Sequence, residues 1–522
     1  MTAASRWGYW GAVVLAVVVT LVLGLSFARH FELAPVDDAF ISLRYATNWA
    51  RGEGLSFNPG EVVEGYTNFL QVTILAVAIG LGAEPVVAMT MIGWVSLGLL
   101  VGVFTVFIFH HLVPGRPFVA ATMGVAAMLN PVLLSWASSG MESCLYAALL
   151  FAAAAVVVEE ASPRRTLVAA ALLVLAAMTR PEAVALLPIF AAVEYRRSRS
   201  WRRLGLFLAV FLVAYGSYFA ARWTHFGALL PNTFYAKLDY GNIQLWRRGA
   251  VYVGDFVRAT PLLLMAALLA LAPIRRWPKW VPIFGVLVVG QMLIVIYEGG
   301  DHFAMYRFMV PVLPFLAAMA LYTCVTLSGR IQRRDLATAL LAAMCVVVIG
   351  LPGLRVGRQL RRDKEPVRSQ FEWHRFEVRL AHEWSLVGRW MGRHLPPGSS
   401  VVVLPIGAIG FYSGLTVLDP VGIVDPVIAH QDRVLGRGYT GHEKYDIDYL
   451  LSRDPDYILL LDVATSQPVP LEALSHEMWG EANHALLSHP RLARDYRYEN
   501  VPVGPLYLNI HVRRDLPPLQ PF

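Results

Sequence analysis

Asp37 and Asp38 stand side by side in the stretch PVDDAFISLRYATNWARGEGLSFNPGEVVEGYTNF, which runs from Pro35 to Phe69 just after an apolar segment. One carboxylate ahead of a helical pattern can cap that helix, and its neighbour favours the positive helix end. Two adjacent carboxylates at a membrane cavity also repel each other, which invites a metal, a cationic partner or an acid–base task. Both readings stay open on the residues alone. Glu64, Tyr66, Thr67 and Asn68 close the same stretch, and Glu142 lies in SSGMES. Arg180 and Glu182 flank Pro181, where two helical runs meet. Asn232, Tyr235 and Lys237 lie in LLPNTFYAK, and Glu298, Asp301, His302, Tyr306 and Arg307 in YEGGDHFAMYR. Singly, each is an ordinary cap or loop residue as readily as a functional one. Together they supply cations suited to clamp a phosphate and carboxylates suited to deprotonate a hydroxyl. The corresponding chemistry is transfer of a group from a phosphate-linked donor, with the cations stabilising charge on the departing phosphate.

The elements that must position these residues are largely membrane helices. Of the 522 residues 56% are hydrophobic and only 16% charged, and the mean hydropathy is +0.52; soluble proteins carry about 25% charged residues. Apolar runs cover 12–28, 88–109, 118–136, 144–158, 166–178, 183–193, 204–221, 257–272, 280–297, 308–327 and 336–353. They predict about 11 spans. Residues 12–28 resemble a signal-peptide core, but Arg29, His30 and Phe31 form no small-residue cleavage site, so an uncleaved first span is expected. A further run, 69–83, is expected to be re-entrant or interfacial. The net charge of +7 sits in short clusters such as YRRSRSWRR and GRIQRR. It therefore reads as a topology signal and not as nucleic-acid affinity. With those clusters on the cytoplasmic side, the loops carrying the candidate residues all face outward. Cys144, Cys324 and Cys345 show no ligand spacing, so neither a disulfide nor a structural zinc site is expected.

After Gly353 the character changes. A charged tract leads into a segment that reads as an extracytoplasmic α/β domain, with SSVVVLPIGAIGFYSG as strand, glycine turn and aromatic segment, LTVLDP as a short strand and DPDYILLLD as turn then strand. The expected division is a transmembrane domain over 1–353, with a first outer loop at 29–68, and a C-terminal domain over 354–522. No Walker sequence occurs.

The stretch from Asp37 to Phe69 resembles the first outer loop of polyprenyl-phosphate-dependent glycosyltransferases of the GT-C fold. It most resembles the branch that holds the mycobacterial terminal β-(1→2) arabinofuranosyltransferase. SSGMES, TRPE, LLPNTFYAK, GGDHFAMYRFMVP and GAIGFYSGLTVLDPVGIVDP are similar to that branch in the same order, so the resemblance spans nearly the whole chain. It implies an inverting transfer from a polyprenyl-phospho-sugar to a hydroxyl of an envelope glycan or surface protein. The setting would be a multi-pass protein of the bacterial inner membrane with its site outside. The resemblance places the catalytic base in the Asp37/Asp38 pair. Glu64, Tyr66, Asn68, Glu142, Asn232, Tyr235 and Asp301 would line the substrate cavity. Arg180, Lys237, His302, Tyr306 and Arg307 would meet the donor, although Arg180 could instead pin the helix break at Pro181. Many members of the fold use a divalent ion only weakly or not at all, so a divalent cation is open but not favoured, and no metal ligand is assigned. The chain is shorter than the mycobacterial enzyme in its C-terminal part, so the donor chemistry carries over better than the acceptor.

Three other classes stay open. A transporter or flippase favours internal repeats and charges near the midplane, whereas no clear repeat occurs here and the polar groups gather at one face. A scaffold would not need the acidic pair. A transferase of phospholipid head groups would share the donor logic and differ in the acceptor pocket.

Overall fold

The computed structural model describes residues 3–238, 242–271, 277–329, 369–459, 462–473 and 481–519, with 355, 356 and 358. The chain divides into two compact units, each assembled from three separated segments. One comprises Met1–Ala34, Met89–Ala221 and Gly249–Arg375, and the other Pro35–Ala88, Arg222–Arg248 and Phe376–Phe522.

The protein is a polytopic α-helical membrane protein with a C-terminal β-sheet. Among the described residues, five helices are long and apolar enough to cross a bilayer: Arg6–His30, Pro85–His111, Trp201–Phe226, Trp280–Glu298 and Arg307–Ser328. The number rises to seven if two bent pairs each count as one span. This is fewer than the eleven expected, and proline explains part of the difference. The 118–136 run is cut into Pro117–Met128 and Pro131–Ser138, bent by 72°. Ile243–Ala259 and Pro261–Ala270, over the 257–272 run, meet at 88°. In both cases a proline opens the second helix, where its missing N–H is tolerated and the residue before it is driven out of the α region. The runs at 144–158 and 166–178 form helices Ser143–Val158 and Pro163–Thr179, of 16 and 17 residues, below the ~20 needed to cross hydrocarbon. The 183–193 run starts as a 3₁₀ turn, Pro181–Leu186, before helix Leu187–Ser198. The run at 336–353 and most of the charged tract after it lie outside the described residues. Segment 69–83 contains the 12-residue helix Phe69–Gly80, about 18 Å long at 1.5 Å per residue.

Apolar composition serves two purposes among these helices. Trp201–Phe226 is buried over only 11% of its apolar window, Arg307–Ser328 over 83%. The first faces outward along its length and the second is packed inside the protein. An aromatic cluster anchors this first unit: Phe151 lies 5.4, 5.7 and 5.3 Å from Phe104, Phe284 and Phe315 between ring centroids, the spacing at which aromatic pairs attract.

The second unit holds the sheet. Strands β1 (Ser400–Val402), β2 (Thr416–Leu418) and β3 (Tyr457–Ile458) pair in parallel, β2 and β3 on either side of β1. Strands β4 (Ala464–Thr465), β5 (Tyr496–Val503) and β6 (Leu506–Arg513) complete it: β3, β4 and β5 all pair antiparallel with β6. Ile428, Leu450, Leu451, Leu486 and Leu492 pack on Val402, Leu418 and Ile458 to form its core. The expected strands at 400, 416 and 457 are present. The expected glycine turn is not: residues Ile406–Ser413 form a helix. Its glycines serve packing. A Cβ at Gly407 would lie 2.0 Å from the Asp37 carbonyl oxygen, and one at Gly410 2.8 Å from an Arg44 guanidinium nitrogen. Only hydrogen at these positions lets this helix lie against helix Asp37–Ala50.

Candidate active site

Helix Asp37–Ala50 begins without a side-chain cap, for Val36 is its N-cap residue. Asp37 and Asp38 fall in its first turn, where negative charge complements the helix dipole. The capping expected of this pair occurs elsewhere. Asp37 accepts the backbone N–H of Gly407 at 3.1 Å and of Ala408 at 2.7 Å, and so caps the facing helix. Burial pushes its carboxyl up to about 7, with the neighbouring Asp38 charge adding to the rise and the two N–H bonds opposing it. Both oxygens of Asp37 are thus committed to the scaffold, while Asp38 acts on His442 together with Lys237, whose charges both reach that imidazole.

The rest of the opening stretch builds the wall behind this pair. Arg44 is 4% exposed and donates to the carbonyls of Phe57 at 2.7 Å and Leu415 at 2.7 Å and to Asn58 at 3.1 Å. Its guanidinium lies 4.4 Å over the Phe57 ring. Burial lowers its pKa to about 10, which leaves it charged at neutral pH. Asn58 bonds both backbone groups of Val417: its Nδ2 donates to the carbonyl at 2.8 Å, and its Oδ1 accepts the N–H at 3.0 Å. Tyr45 donates to the Val63 carbonyl at 2.6 Å and accepts the Gly65 N–H at 2.8 Å.

Several predicted substrate residues are also internal partners. Glu64 is 3% exposed and takes Arg222 Nε at 2.6 Å; burial raises its carboxyl to about 6 against the pull of Arg222. Asn232 donates to the carbonyls of Gly422 at 2.8 Å and Ile423 at 3.0 Å. Tyr66 lies edge-on to Tyr45 at 4.8 Å, and Asn68 accepts from Ser42 at 2.9 Å. Tyr235 stacks on His430 at 4.4 Å. Lys237 ends the short helix Asn232–Lys237 and is half-buried.

The other candidates gather in the first unit. Arg180, in extended conformation after helix Pro163–Thr179, pairs with Glu142 at 2.7 Å and with Glu182. Its guanidinium thus ties the segment at Pro181 to Glu142. Arg307 pairs with Asp301 at 2.7 Å, and His302 Nδ1 lies 3.6 Å from the same carboxylate. The two guanidinium groups share one aromatic ring: Phe308 lies 4.6 Å from Arg180 and 4.9 Å from Arg307. Just before Arg307, Met305 and Tyr306 adopt φ of +58° and +47°, a left-handed conformation costing non-glycine residues roughly 1–2 kcal/mol each. Trp136 Nε1 holds the Met305 carbonyl at 2.9 Å, and Tyr306 sits 5.5 Å from Tyr252 and 5.6 Å from Phe256. Such over-determined strain clusters at functional positions.

The sequence thus identified residues that fall into two groups. Asp37, Asp38, Glu64, Tyr66, Asn68, Asn232, Tyr235 and Lys237 belong to one unit, and Glu142, Arg180, Asp301, His302, Tyr306 and Arg307 to the other. It did not single out Arg44, Asn58, Arg222 or His442, whose partners lie far away in the chain. Among the described residues no group of three His, Cys, Asp or Glu side chains is arranged to hold a metal ion.

A family model described as "Domain of unknown function (DUF8728)" matches residues 370–502. The chain is 24% identical over 509 residues to the terminal β-(1→2)-arabinofuranosyltransferase of Mycobacterium tuberculosis, across 78% of this chain and 80% of that one. It is similar in structure to the archaeal oligosaccharyltransferase AglB from Archaeoglobus fulgidus, in complex with an inhibitory peptide and a dolichol-phosphate. That match has a TM-score of 0.54 at 10% identity, and covers 99% of this chain and 75% of that chain. ArnT from Cupriavidus metallidurans, bound to undecaprenyl phosphate, matches with a TM-score of 0.48 at 14% identity, over 79% of this chain and 86% of that chain. In fold, this chain is similar to the archaeal oligosaccharyltransferase.

Proposed function

We propose that the protein is an inverting glycosyltransferase that moves a sugar from a polyprenyl-phosphate carrier to a hydroxyl of an envelope glycan or surface protein at the outer face of a bacterial membrane. The arabinofuranosyl group is the first sugar to test, because the curated relative is an arabinofuranosyltransferase. The observation that carries the reading is the division of labour in the acidic pair. Asp37 is tied to two backbone N–H groups, whereas Asp38 shares its surroundings with Lys237 and His442.

In this reading Asp38 is the general base. It takes the proton of the acceptor hydroxyl as that oxygen attacks the anomeric carbon. The carbon–oxygen bond to phosphate breaks with its electron pair, and the polyprenyl phosphate leaves from the opposite face, which gives inversion. Lys237 stabilises the charge gathering on the phosphate. Asp37 fixes the helix start on which Asp38 rides. Arg180, His302, Tyr306 and Arg307 belong to the other compact unit and are given no part in this step. Both arginines are already neutralised by carboxylates. Tyr235 faces the substrates, and Glu64, Tyr66, Asn68 and Asn232 hold the frame around them.

Purified full-length protein, given polyprenyl-phospho-sugars labelled in the sugar and an arabinan or other envelope glycan acceptor, should transfer label. Asp38→Asn should lower the rate by ~10²-fold or more, the contribution of a positioned base. Asp37→Asn should lose less rate. The reading fails if no phospho-sugar serves as donor, or if Asp38→Asn keeps full activity.

A further inference from the structure

Helix Gln370–His394 runs for 25 residues, about 37 Å, and has two unlike faces. Trp373, Ala381, Val387 and Met391 are buried on one. On the other stand Arg379, His382, Leu386, Arg389 and Arg393, with Arg375 continuing the line at the foot. Steps of three and four residues keep them all within an arc of about 80°, and all but Leu386 are exposed. The carboxylates of the helix, Glu372, Glu377 and Glu383, fall outside that arc. Like charges three or four residues apart on a helix repel, and a solvated face ordinarily mixes the two signs. Among the described residues Arg379, Arg389 and Arg393 are in no ion pair, although the Arg379 charge reaches Glu383. Arg491, Arg494, Arg497 and Arg513 of the same unit are all paired. Two of the stripe guanidiniums lie on rings instead: Arg389 is 3.9 Å over Tyr412 and Arg379 5.5 Å over Phe376. A guanidinium stacked in this way keeps the N–H groups at its edge for a second partner.

The helix is fastened beside the bilayer. At its foot, Phe371 lies 5.9 and 5.0 Å from Phe27 and Phe31, and Arg375 pairs with Glu32 at 3.2 Å. Glu32 comes two residues after the end of the span Arg6–His30, where hydrocarbon gives way to headgroups. The far half packs on helix Ile406–Ser413: a Cβ at Gly388 would lie 3.0 Å from the Ile409 Cα, and one at Gly392 2.9 Å from the Tyr412 carbonyl oxygen. Tyr412 in turn lies 5.6 Å from Phe40, only ten residues past the same span. We propose that the stripe is a docking surface for the anionic phospholipid headgroups of the adjacent leaflet. Arg379, Arg389 and Arg393 each offer an N–H fork to a phosphodiester, and Leu386 adds apolar contact among them. A soluble polyanion would meet the same charges, but the attachment of both halves close to the first span favours the bilayer. Attraction of basic groups to such a surface fades within a Debye length, about 10 Å at 0.1 M salt. The inference stands on charge and placement, and does not depend on which group the protein transfers.

The test uses full-length protein with Cys144, Cys324 and Cys345 replaced by alanine and a fluorophore on Leu386→Cys, in phosphatidylcholine nanodiscs. A nitroxide placed high on an acyl chain is carried by phosphatidylglycerol in one arm and by phosphatidylcholine in the other. At equal mole fraction the anionic lipid should quench at least about twice as strongly, and about 0.5 M salt should abolish the difference. Arg379→Gln combined with Arg393→Gln should remove it without moving the melting temperature, and the corresponding lysine pair should restore most of it. If the glutamine pair melts early, Arg393→Gln alone serves, because Arg393 makes no ring or ion-pair contact among the described residues; it should weaken the preference measurably. Equal quenching by the two lipids, or a preference untouched by salt and by the glutamine variants, overturns the inference. Equal quenching together with salt-sensitive binding of soluble heparin overturns it in favour of a polyanionic glycan.

Discussion

Asp37 shows how one residue can be read correctly as important and wrongly as to its partner. The sequence offers a cap for the helix that follows, yet the carboxylate caps a helix from the far end of the chain. Its titration carries a stability signature. The carboxyl of an unfolded chain ionises near ~3.9, and that of the folded protein at about 7. Between those values the folded state keeps a proton that the unfolded chain has lost. The favourable contribution is therefore full below about pH 4 and fades as pH rises through 7. Wild-type protein should lose melting temperature relative to Asp37→Asn between pH 5 and 8. A difference that is flat with pH would contradict this assignment. Glu64 and Asn232 teach a related lesson. Their types suited a binding loop, but burial against Arg222 and the Gly422 and Ile423 carbonyls is invisible without the fold.

At the scale of elements, strands were legible because β-branched runs bounded by turn residues announce themselves. Helix Ile406–Ser413 was not, because the glycines in GAIG read as a turn when no neighbour is known. What they register is contact: the backbone of Asp37 lies where a side chain at 407 would go. Gly407→Ala should destabilise the protein by ~1–3 kcal/mol, the usual cost of overpacking. Gly80→Ala, whose added methyl meets nothing within 4 Å, should be neutral. Thermal unfolding of the two variants checks this. Equal melting temperatures would mean that the two helices are not in close contact in solution. The spans were over-counted for a related reason. Hydropathy registers apolar residues that pack inside the protein as well as those facing lipid, and several runs end at prolines before they are long enough to cross.

At the scale of the whole molecule, the sequence order conceals the assembly. Residues 35–88 and 222–248 belong to the same compact unit as the C-terminal segment, joined to it by buried groups such as Arg44, Asn58 and Asn232. The composition of each segment gives no sign of this. The positive clusters do make a claim about sidedness that labelling can settle. Glu53 and Arg199 are both exposed. With Cys144, Cys324 and Cys345 replaced by alanine, a cysteine at Glu53 should react with a membrane-impermeant maleimide on intact cells. One at Arg199 should react only after the membrane is opened. The reverse pattern would put the acidic pair on the cytoplasmic side and remove the lipid-borne donor from its reach.

The Asn58 amide has a consequence beyond the loop it closes. Among the described residues, strand β2 is the last of the parallel strands, with β1 on its only strand-paired flank. The outer flank of such a strand normally shows open N–H and carbonyl groups that can recruit a foreign chain. By bonding both groups of Val417, a single side chain imitates the next strand and brings the ladder to a stop. The sheet is thereby shielded from growing by self-association, a safeguard that requires only one residue.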